Sequence, residues 1–246
     1  MSECYWIKGI GDGTRKVRIY SDLHPNEKVC FVACGGDGTT NEVASGIVGF
    51  PNKSMAVLAV KGSTNDFTKT FPDRDFTSIP KIFDGDDKQI DIIKINDSYA
   101  INDCDFGFDS TVASVANEMT SRGHKNGFHI GILKAIFTAR YNRIKVVADG
   151  KRIGGKFLLL CALANGQYVG GEFRCAPKAK VDDGLIDICY VRPMLLLRFF
   201  LIIPSYRRGE HLNKKNRKFI YTQAKHIEVS SKQMIELCLD GELLPG

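Results

Sequence analysis

Three short strings in this chain carry residue types and spacings able to do chemistry. The first, Cys34-Gly35-Gly36-Asp37-Gly38-Thr39-Thr40-Asn41-Glu42-Val43, follows an apolar run and leads into a helical pattern. Its glycines remove side chains where an anion would approach the backbone, while main-chain N–H groups and a helix N-terminus supply positive potential. That is a phosphate cradle. Asp37, a carboxylate among those amides, makes sense if a divalent ion bridges it to phosphates. The plainer reading is a strand-to-helix turn in which Asp37 and Thr39 only cap the helix. Asn41 and Glu42 are expected on the first turn of that helix.

The second string is Gly62-Ser63-Thr64-Asn65-Asp66-Phe67, with two hydroxyls and two residues able to cap a following helix. The third is Leu237-Cys238-Leu239-Asp240-Gly241-Glu242, in which Asp-Gly after an apolar run predicts a hairpin turn. Residues two apart on extended chain share a side, which would let Asp240 and Glu242 face one site. Farther back, Asn165-Gly166-Gln167-Tyr168-Val169-Gly170-Gly171 and Ala176-Pro177-Lys178-Ala179-Lys180-Val181-Asp182-Asp183-Gly184-Leu185 read, by composition, as loops with special backbone angles.

Other chemistries are not indicated. There is no G-x-x-x-x-G-K-[ST] loop and no strand-linked G-x-G-x-x-G. The cysteines at 4, 30, 34, 104, 161, 175, 189 and 238 form no C-x-x-C pair, the histidines form no H-E-x-x-H, and a zinc site is not expected. The thiols are expected to be free and buried, in the reduced cytoplasm.

The elements that must position these strings fall into two grammars. Residues 28–33 and 55–60 are strand-like and alternate with helical patterns at 41–48 and 78–83, which predicts a parallel, doubly wound α/β arrangement. Both loops then sit at carboxyl ends of strands, where open α/β sheets bind ligands. Beyond residue 86 come short strand-like runs at 91–95, 99–104, 143–149, 156–164, 185–191, 218–221, 227–230 and 234–239, with turn signals Asn96-Asp97, Asp149-Gly150 and Asp240-Gly241. Helical patterns interrupt them at 110–120, 128–141 and 193–206. The expected organisation is residues 1–86 as an α/β domain and 87–246 as an antiparallel, sheet-rich domain.

Length and composition agree: 246 residues, 43% hydrophobic and 25% charged, suit one large or two modest globular domains and exclude disorder, collagen-like repeats and small disulfide scaffolds. A net charge of +6 suits an anionic partner. The N-terminal segment lacks an apolar core followed by a small-residue cleavage site, so secretion is not expected. Residues 194–204 are too short to cross a membrane and contain Arg198. With the basic stretch to Lys218 they read either as a buried helix with a solvated loop or as an interfacial contact with acyl chains and anionic head groups. No nucleic-acid module surrounds them, and nucleic acid is not an expected partner. A homodimer remains open.

At G-G-D-G-T-T-N-E-V and again at G-S-T-N-D-F the sequence resembles the bacterial diacylglycerol kinase family of lipid kinases, related to sphingosine and ceramide kinases. The resemblance implies an NAD kinase-like α/β domain followed by a β-sandwich, and ATP-dependent phosphoryl transfer to a lipid hydroxyl at a membrane surface, diacylglycerol being the leading acceptor. It implies nucleotide and magnesium binding by Gly35, Gly36, Asp37, Gly38, Thr39, Asn41, Glu42 and Ser63, the last standing where the family has Thr. It matches Glu242 to the proton acceptor, with Asp240 in support, including through magnesium, and gives Asp183 and the carbonyls of Lys180 and Leu185 to a structural magnesium. Glu172 stands where the family has a third glycine. The family's first strand and N-P-x-[SA]-G loop have no counterpart between Met1 and Lys28, and family chains continue past D-G-E, so the resemblance covers the middle and most of the end of such a kinase. A kinase of NAD or another soluble alcohol, and a non-catalytic nucleotide- or lipid-binding remnant, are the alternatives.

Overall fold

A computed structural model describes residues 3–60, 62, 64–84, 86–122, 130–131, 134–135, 141–213 and 216–244. Ser63 and most of the helix expected over 128–141 lie outside the described residues.

The first part is α/β. Strands β1 (Val29–Cys34) and β2 (Lys53–Leu58) pair in parallel, Val29 opposite Lys53 and Cys34 opposite Leu58. Between them runs α2 (Asp37–Ile47), the crossover connection that parallel strands require. Helix α1 (Asp12–Leu23), which the sequence pattern did not reveal, packs on α2 through Val17, whose Cβ lies 2.6 Å from where a side chain on Gly46 would begin. Short helices α3 (Asp66–Lys69) and α4 (Ile79–Ile82) follow. Cys30, Val32 and Cys34 alternate onto one exposed face of β1, and Cys4 is exposed as well. This corrects the expectation that all the thiols are buried; five are, at 104, 161, 175, 189 and 238.

The second part begins with the hairpin β3 (Ile93–Ile95) and β4 (Ser98–Ala100). A six-stranded antiparallel sheet then forms from β5 (Asp103–Gly107), β8 (Leu160–Ala164), β9 (Ile186–Val191), β10 (Phe219–Ala224), β12 (Leu237–Leu239) and β13 (Glu242–Leu244), in the order β10-β9-β8-β5-β12-β13. A three-stranded sheet from β6 (Ile144–Ala148), β7 (Lys151–Ile153) and β11 (Ile227–Ser231) covers one of its faces. Phe106, Cys161, Ile188 and Tyr190 meet Ile144 and Val146 there, which makes the fold a β-sandwich. The opposite face carries Leu160, Ala162, Cys189 and Val191 and packs against α5 (Phe108–Ser121) and α6 (Leu196–Arg207).

All three two-residue turn signals close hairpins. At Asp240-Gly241, φ is 48° and 88°, the pair of positive values a type I′ turn needs, and Leu239 pairs with Glu242 across it.

Candidate functional site

The glycine string turns from β1 into α2 as expected, but the helix begins at Asp37, four residues earlier than its pattern suggested. Asn41 and Glu42 therefore lie on its second turn, not its first. Gly36 occupies the N-cap position and no side chain caps the helix, so Asp37 and Thr39 are not caps. The first-turn N–H groups are left to an anion or to water. The Gly35 N–H is already used, donating to the Leu58 carbonyl at 3.1 Å, and Thr39 lies so close over Gly35 that a side chain there would stand 2.5 Å from its Oγ1.

The second loop closes on the first. A Cβ on Gly62 would sit 2.9 Å from Gly36 Cα, and Thr64 donates its hydroxyl to Asp37 Oδ2 at 2.6 Å. Asp37 Oδ1 also accepts the Phe67 N–H at 3.3 Å. Asn65 makes no cap bond to α3, and Asp66 turns instead to the sandwich, accepting the Gly171 N–H at 2.9 Å while paired with Lys69. Gly170 and Gly171 take positive φ, at 62° and 85°, and Glu172 does not; it pairs with Arg207, so glutamate is accommodated at that position.

Asp240 holds the two parts together. Its Oδ1 accepts N–H groups of Asn102 (2.9 Å) and Asp103 (2.8 Å); its Oδ2 accepts the N–H of Ile101 (2.8 Å) and the Asn41 side-chain amide (2.6 Å). Four donors fill the four lone-pair directions of a carboxylate, so Asp240 is a positioning residue with none left for magnesium. Burial raises its pKa to about 6, against those hydrogen bonds, which lower it. Asn41 serves this junction, also donating to the Tyr99 carbonyl.

Asp240 and Glu242 part company at the turn. Glu242 is exposed and lies over the first turn of α2, its Oε1 2.9 Å from where a Cβ on Gly38 would be. Only glycine at 38 lets that carboxylate approach undisturbed. Glu42 turns to α1 instead: its carboxylate accepts the Gly11 N–H at 2.7 Å and the Gly13 N–H at 2.6 Å, closing the N-terminus of α1. It is not gathered with the glycine turn.

A cavity of about 290 Å³ lies where these loops meet the helix-covered face of the large sheet. One end is lined by Asp37, Thr64, Asp66, Asp103, Asp105 and Asp240, and the rest by apolar side chains including Phe108, Val112, Leu160, Met194, Phe199 and Ile202. Asp103 and Asp105 were not singled out from sequence, although Asp-x-Asp within a strand-like run already places both on one side. Burial, then the charges of Asp105 and Asp240, push the Asp103 carboxyl well above the ordinary carboxylate range.

Asp183 lies away from this cavity, on the turn before β9, where Oδ1 accepts the Leu185 N–H at 3.1 Å and Oδ2 takes only a long 3.4 Å contact from Gln223. Together with the carbonyls of Lys180 and Leu185, as the resemblance implies, it would be an oxygen-only donor set of the kind a hard cation takes. Among the described residues, no cluster of three or more His, Cys, Asp or Glu side chains is arranged to hold a metal ion.

An uncapped glycine-rich helix start thus lies beside a cavity that joins carboxylates to an apolar wall. Residues 10–95 match the diacylglycerol kinase catalytic domain, and residues 103–246 match the YegS C-terminal NAD kinase beta sandwich-like domain. The diacylglycerol kinase of Bacillus subtilis (strain 168) is 29% identical over 88% of this chain and 73% of its own length; that of Staphylococcus aureus (strain bovine RF122 / ET3-1) is 30% identical over 98% and 76%. A crystal structure of a diacylglycerol kinase from Bacillus anthracis str. Sterne superposes with a TM-score of 0.66 at 20% identity, covering 97% of this chain and 76% of that one. The chain belongs to the bacterial diacylglycerol kinase-type family.

Proposed function

We propose that the chain transfers the γ-phosphoryl group of ATP to the hydroxyl of a lipid, for which diacylglycerol, named in its relatives, is the first acceptor to test. The observation that carries this reading is the cavity: an apolar wall for an acyl chain ending in carboxylates beside the glycine turn. A soluble acceptor such as NAD has no use for that wall.

The N–H groups at the start of α2 would orient the phosphates, while the Thr64 hydroxyl holds Asp37. Asp37 would hold the nucleotide's magnesium, which would supply electrostatic stabilisation of the transferred phosphoryl group. Ser63, outside the described residues, is assigned to the same nucleotide loop from the family pattern. Glu242 takes the proton from the acceptor hydroxyl as its oxygen bonds to the γ-phosphorus and the bond to the β-phosphate oxygen breaks, releasing ADP. Asp240, through Asn41 and the N–H groups of residues 101–103, keeps the hairpin bearing Glu242 in place against α2.

Access to the lipid runs over α6. Phe199, Ile202, Ile203 and Tyr206 on one side of that helix line the cavity, while Leu197 and Leu201 on the other are 74% and 72% exposed. Arg192, Arg198 and Arg217 are exposed nearby, a fit to anionic head groups. Among the described residues no helix is long and apolar enough to cross a membrane. The test is transfer of labelled γ-phosphate to diacylglycerol in anionic mixed micelles, with NAD and soluble alcohols alongside. Glu242→Gln should reduce turnover by about 10²–10⁴-fold, the contribution of a general base, with ATP affinity kept; full turnover in that variant removes Glu242 from the mechanism.

A further inference from the structure

The strand register orders the walls of the cavity from one end to the other. Asp103 and Asp105 stand at the acid end, on the first half of β5, and Gly107 ends that strand about 13 Å farther along at the rise of an extended chain. Across the sheet from Gly107 come Leu160, then Val191, then Phe219. All three line the cavity, so this row is its far end from the carboxylates. Leu159 and Met194 line it just beyond, Met194 only 4% exposed and set ahead of the first turn of α6. Phe199 of that helix packs over the same end, its ring centroid 5.1 Å from that of Phe108.

Volume then sets a limit on what fits. A methylene takes about as much room as a water molecule in the liquid, roughly 30 Å³, so a cavity of about 290 Å³ holds about ten carbons. That is one chain, not two. A diacylglycerol seated with its hydroxyl at the acid end therefore lays one acyl chain along the apolar wall and leaves the other outside, where Leu197 and Leu201 are exposed on α6. A chain longer than the cavity runs into Met194, which is packed in one buried cluster with Phe108, Leu159 and Val191 and has little room to yield.

We propose that the cavity measures chain length: it takes a single acyl chain of about ten carbons, and Met194 sets that limit. The inference rests on the lipid-kinase reading for the fate of the hydroxyl, but the limit on chain length stands on the cavity alone.

Binding and turnover separate the two. Hexanol, octanol, decanol, dodecanol and tetradecanol are used to displace a fluorescent apolar probe from the intact chain. Affinity should rise about fourfold per methylene, the effect of burying each CH₂, as far as decanol and then level off. Met194→Ala, or Met194→Val as the milder form of the same change, cuts back the side chain at the far end and should carry the rise on to dodecanol. Val191→Phe fills the same end and should stop it at octanol. Each variant should keep the hexanol affinity within about twofold, as expected for a change remote from the short probe, which also verifies that the cavity is intact. An affinity that does not rise with length, one that keeps climbing through tetradecanol in the wild type, or a break that stays at decanol when Met194 is cut back overturns the proposal. Turnover then reports on the other reading. If diacylglycerol is phosphorylated while the break ignores Met194, the kinase stands and the length limit falls. If the break moves with Met194 but no lipid is phosphorylated, the limit stands and the kinase falls.

Discussion

Glu42 belongs to the sequence string that resembles a nucleotide site, yet its carboxylate closes the N-terminus of α1, and substitution separates these roles. Its two bonds, to Gly11 N at 2.7 Å and Gly13 N at 2.6 Å, are made by an ionised acceptor. Hydrogen bonds to charged groups contribute about 1.5–3 kcal/mol each. Gly11 is exposed and its N–H regains water when the carboxylate is removed, so one bond counts nearly in full and the other hardly at all. A negative charge at a helix N-terminus adds about 0.3–1 kcal/mol. Glu42→Ala should therefore cost about 2–4 kcal/mol, and for a chain of this size each kcal/mol is about 2–4 °C in Tm. Glu42→Gln keeps one acceptor oxygen and loses the charge, and should fall about halfway between. Urea unfolding followed by circular dichroism gives the stability, amide exchange across residues 12–23 locates the loss on α1, and ATP titration gives the affinity. Wild-type unfolding together with an ATP affinity reduced by tenfold or more would refute the capping role and return Glu42 to the nucleotide.

Buried carboxyls give stability a pH slope of known sign. Asp103 has a raised folded pKa, as does Asp240, at about 6, so the native state binds these protons more readily than the unfolded chain. Their contribution is present below the unfolded value near 3.8 and is lost as pH rises through the folded values. Asp103→Asn should thus flatten the decline and be more stable than wild type in urea at pH 8, about equal to it near pH 4; a variant less stable at pH 8 contradicts this. Gly46→Ala would put a Cβ 2.6 Å from that of Val17 and 3.2 Å from the Thr14 carbonyl, and overpacking of this kind costs about 1–3 kcal/mol. Adding Val17→Ala should recover part of the loss, and a purely additive pair would show that α1 and α2 do not meet there. Replacing Leu197 and Leu201 together by Glu should abolish co-sedimentation with anionic vesicles without altering the fold, since both side chains are exposed; undiminished sedimentation would move the membrane contact off α6.

What the sequence revealed, and what it hid, divides by the range of the interactions. The hairpins at Asn96-Asp97, Asp149-Gly150 and Asp240-Gly241 were legible because a two-residue turn states its own backbone requirement in its two residues. The strand-to-helix turn at Gly35–Thr39 was legible for the same reason, but the start of α2 was not. Gly38 is a poor helix former, and the reason for a glycine there is out of reach of the local pattern: a Cβ would crowd Glu242, some two hundred residues later. Asp240 and Glu242 show the same limit from the other side. Alternation would have put them together, and the I′ turn between them instead sends one carboxylate into a nest of N–H groups and the other onto α2. For Asp103 and Asp105 the local rule did hold, since residues two apart share a side. Alternation does not say what that side faces. β5 lies between β8 and β12, with a second sheet on one face and α5 and α6 on the other, and this long-range order turns two ordinary strand aspartates into the acid end of an apolar cavity. Chemistry that depends on a local turn can thus be read from a string of residues, whereas chemistry that depends on what a strand's face meets requires every wall of the site.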